Sequence, residues 1–286
     1  MTTAPLDPHV EPITRDVTAR GARIRFVEAG QGPPLVLVHD FLSSHLAWED
    51  VLPRLAQRFH VIVPDLPGFG DSEKPAPNRY AYGFEAFSES LVDLVAALRL
   101  GRVSVCGHAM GGAVALTMAA NHAHVVDKLL LVNPLVYPRR PDVFMRAAGV
   151  PLLGPVLFKQ LYGRAMFRGH FRDRKYAVGA TVPWARIDYL FDLFNAPAAR
   201  EAAYATMLSM LDTRPLMASI PRVTAPSLVA WGRSDRASPV EQGRRLAREL
   251  RGARFEVFEC GYSPAEECPA AFCDTVTSFL VGRRAA

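Results

Sequence analysis

Val103-Ser104-Val105-Cys106-Gly107-His108-Ala109-Met110-Gly111-Gly112 decides the fold. Its first four residues suit a strand buried on both faces of a parallel sheet. The glycines mark a sharp turn that admits no bulk. From about Gly111 to Asn121 the pattern is helical. Strand, tight turn and helix in this order form part of a right-handed βαβ crossover. Between the flanking glycines stands Ala109, whose methyl group carries no reactive atom.

The same rhythm runs outward on both sides. Ile13 to Glu28 alternates apolar and polar residues around Gly21 and predicts a hairpin. Leu35 to His39 and Val61 to Val63 read as buried strands, with a helix expected from about Trp48 to Phe59 between them. Phe84 to Leu100 has a helical period that Gly101 stops. Leu129 to Val132 is the next strand. The rhythm lapses from about Tyr137 to Ile220, where helices and loops are expected but no strand. It resumes with Ser227 to Trp231, a helix from about Val240 to Leu250, the strand Phe255 to Phe258 and a helix near Pro269 to Leu280. The expected division is an α/β core at 1–136, a helical cap at 137–220 and the rest of the core at 221–286.

Composition agrees with a globular chain. Of 286 residues, 50% are apolar and 21% charged, ordinary values for a soluble domain. The first residues, Met1 to Val10, read as loose surface chain. The longest apolar stretch, Ala147 to Phe158, is broken by glycines and prolines and is too short to span a bilayer. No secretory leader is legible, and the four cysteines have no disulfide or zinc spacing. A cytoplasmic protein with reduced cysteines is expected. The net charge of +5 is uneven. Between Arg139 and Arg186 stand ten basic residues and only Asp142 and Asp173 as acids. This predicts either a solvated cap face or a patch for an acidic partner. No nucleic-acid motif is present.

Five motifs in order resemble the α/β-hydrolase superfamily, in particular its lid-bearing branch of esterases, epoxide hydrolases and haloalkane dehalogenases. They are His39-Asp40-Phe41, Asp65-Leu66-Pro67-Gly68-Phe69-Gly70-Asp71-Ser72, Gly107 to Gly111, Trp231-Gly232-Arg233-Ser234-Asp235 and Gly261-Tyr262-Ser263-Pro264. The resemblance covers nearly the whole chain. It implies an α/β-hydrolase fold, a mostly parallel sheet with helices on both faces and an inserted helical cap. It also implies a Ser-His-Asp triad at three positions. The nucleophile position holds Ala109, the acid position holds Asp235 and the base position holds Tyr262. A phenol is protonated at neutral pH and donates where imidazole would accept.

The resemblance further implies an oxyanion hole from the backbone N–H groups of Phe41 and Met110. Asp40 stands where the family usually has glycine. Were its carboxylate aimed at the hole, it would oppose a developing oxyanion by roughly 4 kcal/mol at 4 Å and an effective dielectric near 20. The sequence leaves that direction open. His39 and His108 read as loop-orienting residues, Cys106 and Cys260 as core.

Loss of nucleophile or base from a triad costs on the order of 10⁶ in turnover. Ordinary ester hydrolysis is therefore not expected. A deliberate serine-to-alanine substitution would explain Ala109 but neither Tyr262 nor Asp40. Two further readings stay open. One is non-hydrolytic acid–base chemistry by Asp40, Tyr262 and Asp235, of an isomerase, lyase or cyclase kind, on a small apolar oxygen-containing molecule. The other is a pseudoenzyme that binds a ligand or acts as a scaffold. No metal or cofactor is expected. The expected partner is a small hydrophobic molecule, with no nucleic acid and no stable membrane insertion, and with self-association left open.

Overall fold

A computed structural model describes residues 11–138, 143–150, 153–177 and 179–282. The segment Met1 to Val10, expected to lie loose, falls outside the described residues. Eight strands form one sheet: β1 (Ile13–Ala19), β2 (Ala22–Ala29), β3 (Pro34–Val38), β4 (His60–Pro64), β5 (Val103–His108), β6 (Val126–Val132), β7 (Ser227–Gly232) and β8 (Arg254–Phe258). Their order across the sheet is β1-β2-β4-β3-β5-β6-β7-β8. The β1–β2 hairpin and the β2–β4 pair are antiparallel, and the remaining pairs are parallel. This is the architecture of the α/β-hydrolase fold.

The apolar strand runs are explained by cover on both faces. Along β3, Val36 and Val38 join one buried cluster with Phe87, Leu91 and Leu94. Leu35 and Leu37 join a second on the opposite face, with Trp48 and Phe272. The helices that supply this cover are α1 (Phe84–Ala97), α2 (Met110–Asn121) and, after the last strand, the C-terminal helix Pro269–Val281.

Two helix expectations change. The span from Trp48 to Phe59 holds no single helix. A 3₁₀ turn covers His45–Trp48 and one α-turn covers Leu52–Leu55. Pro53 has no N–H to give and fits only the first turn of a helix, so no longer helix runs through it. Leu52 and Leu55 are buried as expected. Helix α1 ends at Ala97, short of Leu100, because Arg99 already turns left-handed at φ 53° ahead of Gly101 at φ 69°.

Between β6 and β7 the described residues form helices and loops without a strand. Two of these helices are α3 (Trp184–Phe194) and α4 (Pro197–Ser209). Phe191 and Phe194 of α3 join Phe158, Tyr162 and Phe167 in an aromatic cluster, and Tyr204 of α4 packs on Phe158. The basic excess of this region is met by acids from α3, α4 and the core. Arg164 and Arg168 pair with Asp188, Lys159 with Glu201, and Arg186 with Asp50 and Glu266. Among the described residues, much of the charge asymmetry in the sequence is thus answered by ion pairs. No helix among the described residues is long and apolar enough to cross a membrane.

The sheet order fixes where a site can form. After β3 the chain moves to β4 on one side, then returns to place β5 on the other side of β3. The loops leaving β3 and β5 therefore diverge from adjacent strand ends, with Val38 beside Gly107. A crevice outside the carboxyl ends of strands opens at such a switch point.

Candidate functional site

The turn after β5 is as tight as its sequence demands. A Cβ on Gly107 would lie 2.1 Å from the Gly111 carbonyl oxygen, and one on Gly111 would lie 2.3 Å from that of Val38. Ala109, at the point of the turn, has φ 48° and ψ −105°, a strained backbone for a residue with a side chain. The loop after β3 holds its left-handed residue at Leu42, with φ 56°, not at Asp40. His39 ties this loop down. Its Nδ1 lies 2.7 Å from the Asp40 carbonyl oxygen, and its Nε2 accepts the Leu66 N–H at 3.0 Å.

These loops carry Asp40 to the floor of a cavity of about 440 Å³. Ala109, Met110, Phe41 and Tyr262 line the same cavity, with Phe158, Tyr162 and Met207 on its walls. The Asp40 carboxylate is buried. Its Oδ1 accepts the backbone N–H of Met110 at 3.1 Å. Its Oδ2 accepts the Tyr262 hydroxyl at 2.8 Å and the Lys175 ammonium at 2.6 Å. The direction that the sequence left open is therefore toward the Met110 amide.

Burial alone would raise the Asp40 pKa. The positive charge of Lys175, a lesser electrostatic contribution from His108 and the hydrogen bonds from Lys175 and Met110 outweigh it, so the carboxyl is held well below its ordinary range. Asp40 is thus an ionised carboxylate at every physiological pH, and a weak base.

Lys175 was not legible as a site residue. It closes a π-helical turn, Phe171–Lys175, in the segment between β6 and β7. Its ammonium also donates to the Phe41 carbonyl at 3.0 Å and sits over the Phe171 ring, 4.7 Å from the centroid. In the sequence it is one of ten cations in a basic stretch, and nothing in the pattern separates it from the solvated ones.

Tyr262 is positioned from its own backbone. His108 Nε2 lies 2.8 Å from the Tyr262 carbonyl oxygen, and the two rings are 4.6 Å apart. Glu267 holds the turn by accepting the Gly261 and Ser263 amides, each at 3.0 Å. Asp235 is held both by its own loop and by Asn133, the residue after β6. It accepts the Ala237 and Ser238 amides at 2.7 and 3.1 Å and the Asn133 side-chain amide at 2.7 Å. The structure thus brings Asp40, Tyr262, Phe41, Met110 and Ala109 to one cavity, with Asp235 hydrogen-bonded in the loop after β7.

One cluster of metal-ligand type appears among the described residues. His45, Asp65 and Asp71 offer ligand atoms within 4.8 Å of one another. Asp65 spends its oxygens on the His45 and Asp71 amides, at 2.6 and 2.7 Å, and so knits the loop after β4.

Known proteins share this architecture. Residues 33–265 match the family model described as alpha/beta hydrolase fold. An uncharacterised protein of Mycobacterium tuberculosis is 29% identical over 279 residues, covering 92% of this chain and 80% of its own. The 2-hydroxy-6-oxo-2,4-heptadienoate hydrolase of Pseudomonas putida is 28% identical over 277 residues, covering 94% and 96%. Among solved structures, a serine hydrolase involved in carbazole degradation, the CarC enzyme, superposes with a TM-score of 0.78 at 26% identity, covering 96% of this chain and all of that one.

Proposed function

Because this chain belongs to the α/β-hydrolase fold family, we propose that it holds a small, mainly apolar, oxygen-containing molecule in the 440 Å³ cavity and does not hydrolyse esters. In this reading residues 137–220 form the cap over the cavity. Ala109 stands at the family's nucleophile position, Tyr262 at the base position and Asp235 at the acid position.

One observation carries the reading: the Met110 amide donates to Asp40. That amide is the donor an oxyanion would need. An internal anion already holds it, and a second anion there would meet a carboxylate. Tyr262 directs its proton into the same carboxylate. Neither the attacking group, nor the base, nor the anion site for acyl transfer is then present in working form.

The test pairs two measurements. A panel of p-nitrophenyl esters should show no turnover above buffer. A neutral fluorescent probe such as N-phenyl-1-naphthylamine should bind saturably at one site, and Met210→Trp, which fills the cavity from its wall, should abolish that binding. Enzymatic ester turnover, or probe binding untouched by the filled cavity, overturns the proposal.

A second reading is favoured by the unbroken contact of Lys175, Asp40 and Tyr262. Three ionisable groups in hydrogen-bond contact can move a proton. The bound molecule would then be isomerised, cleaved or cyclised without hydrolysis. Recovery of converted ligand after incubation, with slower conversion in Tyr262→Phe and Asp40→Asn, would select this reading over simple binding. Ligand recovered unchanged rejects it.

A further inference from the structure

The polar floor of the cavity has a definite hydrogen-bond capacity and a definite charge. Lys175 has three N–H donors. One goes to Asp40 Oδ2 and one to the Phe41 carbonyl. The Asp40 carboxylate has about four acceptor positions. Met110, Tyr262 and Lys175 use three of them. Counted over the described residues, the pair retains one donor on Lys175 and one acceptor on Asp40, on two paired residues that both line the cavity. The pair is electrically neutral, because ammonium and carboxylate compensate each other within 2.6 Å, and the other charged residues that line the cavity, Arg174 and Asp173, are of opposite sign, with His170 beside them.

We infer that this floor selects a neutral hydroxyl group on an apolar body, an alcohol or a phenol, over the matching carboxylate, and that Asp40 and Lys175 set the choice. The inference rests on the binding reading above and names its ligand class. A hydroxyl is both donor and acceptor, so it satisfies the Asp40 and Lys175 positions together. A carboxylate offers no proton to Asp40. It also surrenders its hydration beside an ion pair with no net charge to offset the loss, which is the costly case for a buried ion. The walls around this floor are Met110, Met207, Phe158 and Leu135, and thioethers and rings accept apolar bodies of varied shape.

The charge argument makes opposite predictions for the two residues. Asp40→Asn leaves Lys175 on the floor and changes its net charge to positive. Lys175→Gln leaves Asp40 and changes it to negative. The double variant is neutral again.

The test measures dissociation constants for 6-phenylhexan-1-ol and 6-phenylhexanoate by titration calorimetry near pH 7.5, on the full chain and on the three variants. The intact chain should favour the alcohol by about tenfold or more. Asp40→Asn should move the ratio toward the acid by about tenfold, Lys175→Gln should move it further toward the alcohol, and the double variant should return toward the starting value. Circular dichroism checks each fold, and should Lys175→Gln not fold, Asp40→Asn decides alone. Equal or tighter binding of the acid by the intact chain overturns the inference while leaving the binding reading standing. So does a ratio that Asp40→Asn leaves unmoved. Binding of neither molecule overturns the binding reading and the inference together.

Discussion

Lys175 and Asp40 are 135 positions apart in sequence and meet at 2.6 Å, both buried. This contact joins the helical segment between β6 and β7 to the loop after β3. It is reinforced nearby, where the Tyr176 hydroxyl donates to Glu266 and the Ala177 amide donates to Glu267 at 3.1 Å. Three consecutive residues thus fasten that segment to the core beside the cavity. A buried ion pair of this kind contributes little net stability, yet losing one partner leaves a charge stranded out of water.

Lys175→Met should therefore destabilise the chain by about 3–5 kcal/mol at pH 7. The sign of its pH dependence follows from Asp40. In the intact chain the folded carboxyl is held below its unfolded value of 3.8. That contribution is complete above this value and is lost only as pH falls through the lower folded value. Without Lys175 the largest opposing charge is gone, and burial pushes the Asp40 pKa up. The gap between variant and parent should then narrow as pH falls from 7 toward 4.5. Urea denaturation at three pH values reads this directly, and a gap constant across that range refutes it.

Tyr262→Phe removes one hydrogen bond to an ionised group and little volume. Bonds of this kind are worth about 1.5–3 kcal/mol. The variant should lose that much stability while keeping the ring contact with His108. Loss below about 0.5 kcal/mol would mean that the Tyr262 proton is not held by Asp40 in solution.

Much of this arrangement could be read ahead of the structure, and the limit of the reading is physical. The strands and the Gly107 to Gly111 turn were legible because period-two and buried-run patterns are local, as is the demand for glycine. Asp40, Ala109, Met110 and Tyr262 were legible through the family resemblance, because each lies in one of the motifs that carry it. Lys175 was not, because its role depends on which of many cations the tertiary fold carries to Asp40. The direction of Asp40 was closed to the sequence for the same reason. The side chain follows the partners that the fold presents, and two of those partners lie 70 and 222 positions away. The acids that pair with the basic stretch, such as Asp188 and Glu201, lie downstream of it, so its composition alone did not show how its charges are met.

Glu266 should show the reverse pH dependence. Burial is the larger influence and raises its pKa, and the Tyr176 hydrogen bond and the Arg186 charge pull it only part of the way back. A carboxyl whose folded value lies above its unfolded 4.5 costs stability as pH rises through the folded value. Glu266→Gln mimics the neutral form. Its stability relative to the parent should improve as pH rises from 4.5 to 7.5, followed by thermal denaturation. A relative stability that falls with rising pH would show that the pairing with Arg186 outweighs burial.

Ala109→Ser separates a missing nucleophile from a dismantled site. The turn already holds the strained backbone that a nucleophile needs there, so the serine would fit. It would still lack a base, because Tyr262 is a donor, and the oxyanion of its tetrahedral intermediate would meet Asp40 at the Met110 amide. Ala109→Ser alone should leave p-nitrophenyl butyrate hydrolysis at the buffer rate. Adding Tyr262→His supplies a base but leaves the anion site filled. Only the further change Asp40→Gly frees the Met110 amide, and removing one oxyanion donor from a working site costs about 10²–10³ in turnover. The fourth change, Lys175→Met, is added so that no ammonium is stranded by the loss of Asp40, and this quadruple variant should exceed the double by about that factor. Triad-like turnover in Ala109→Ser alone would overturn the assignment of Asp40 as the group that closes the site.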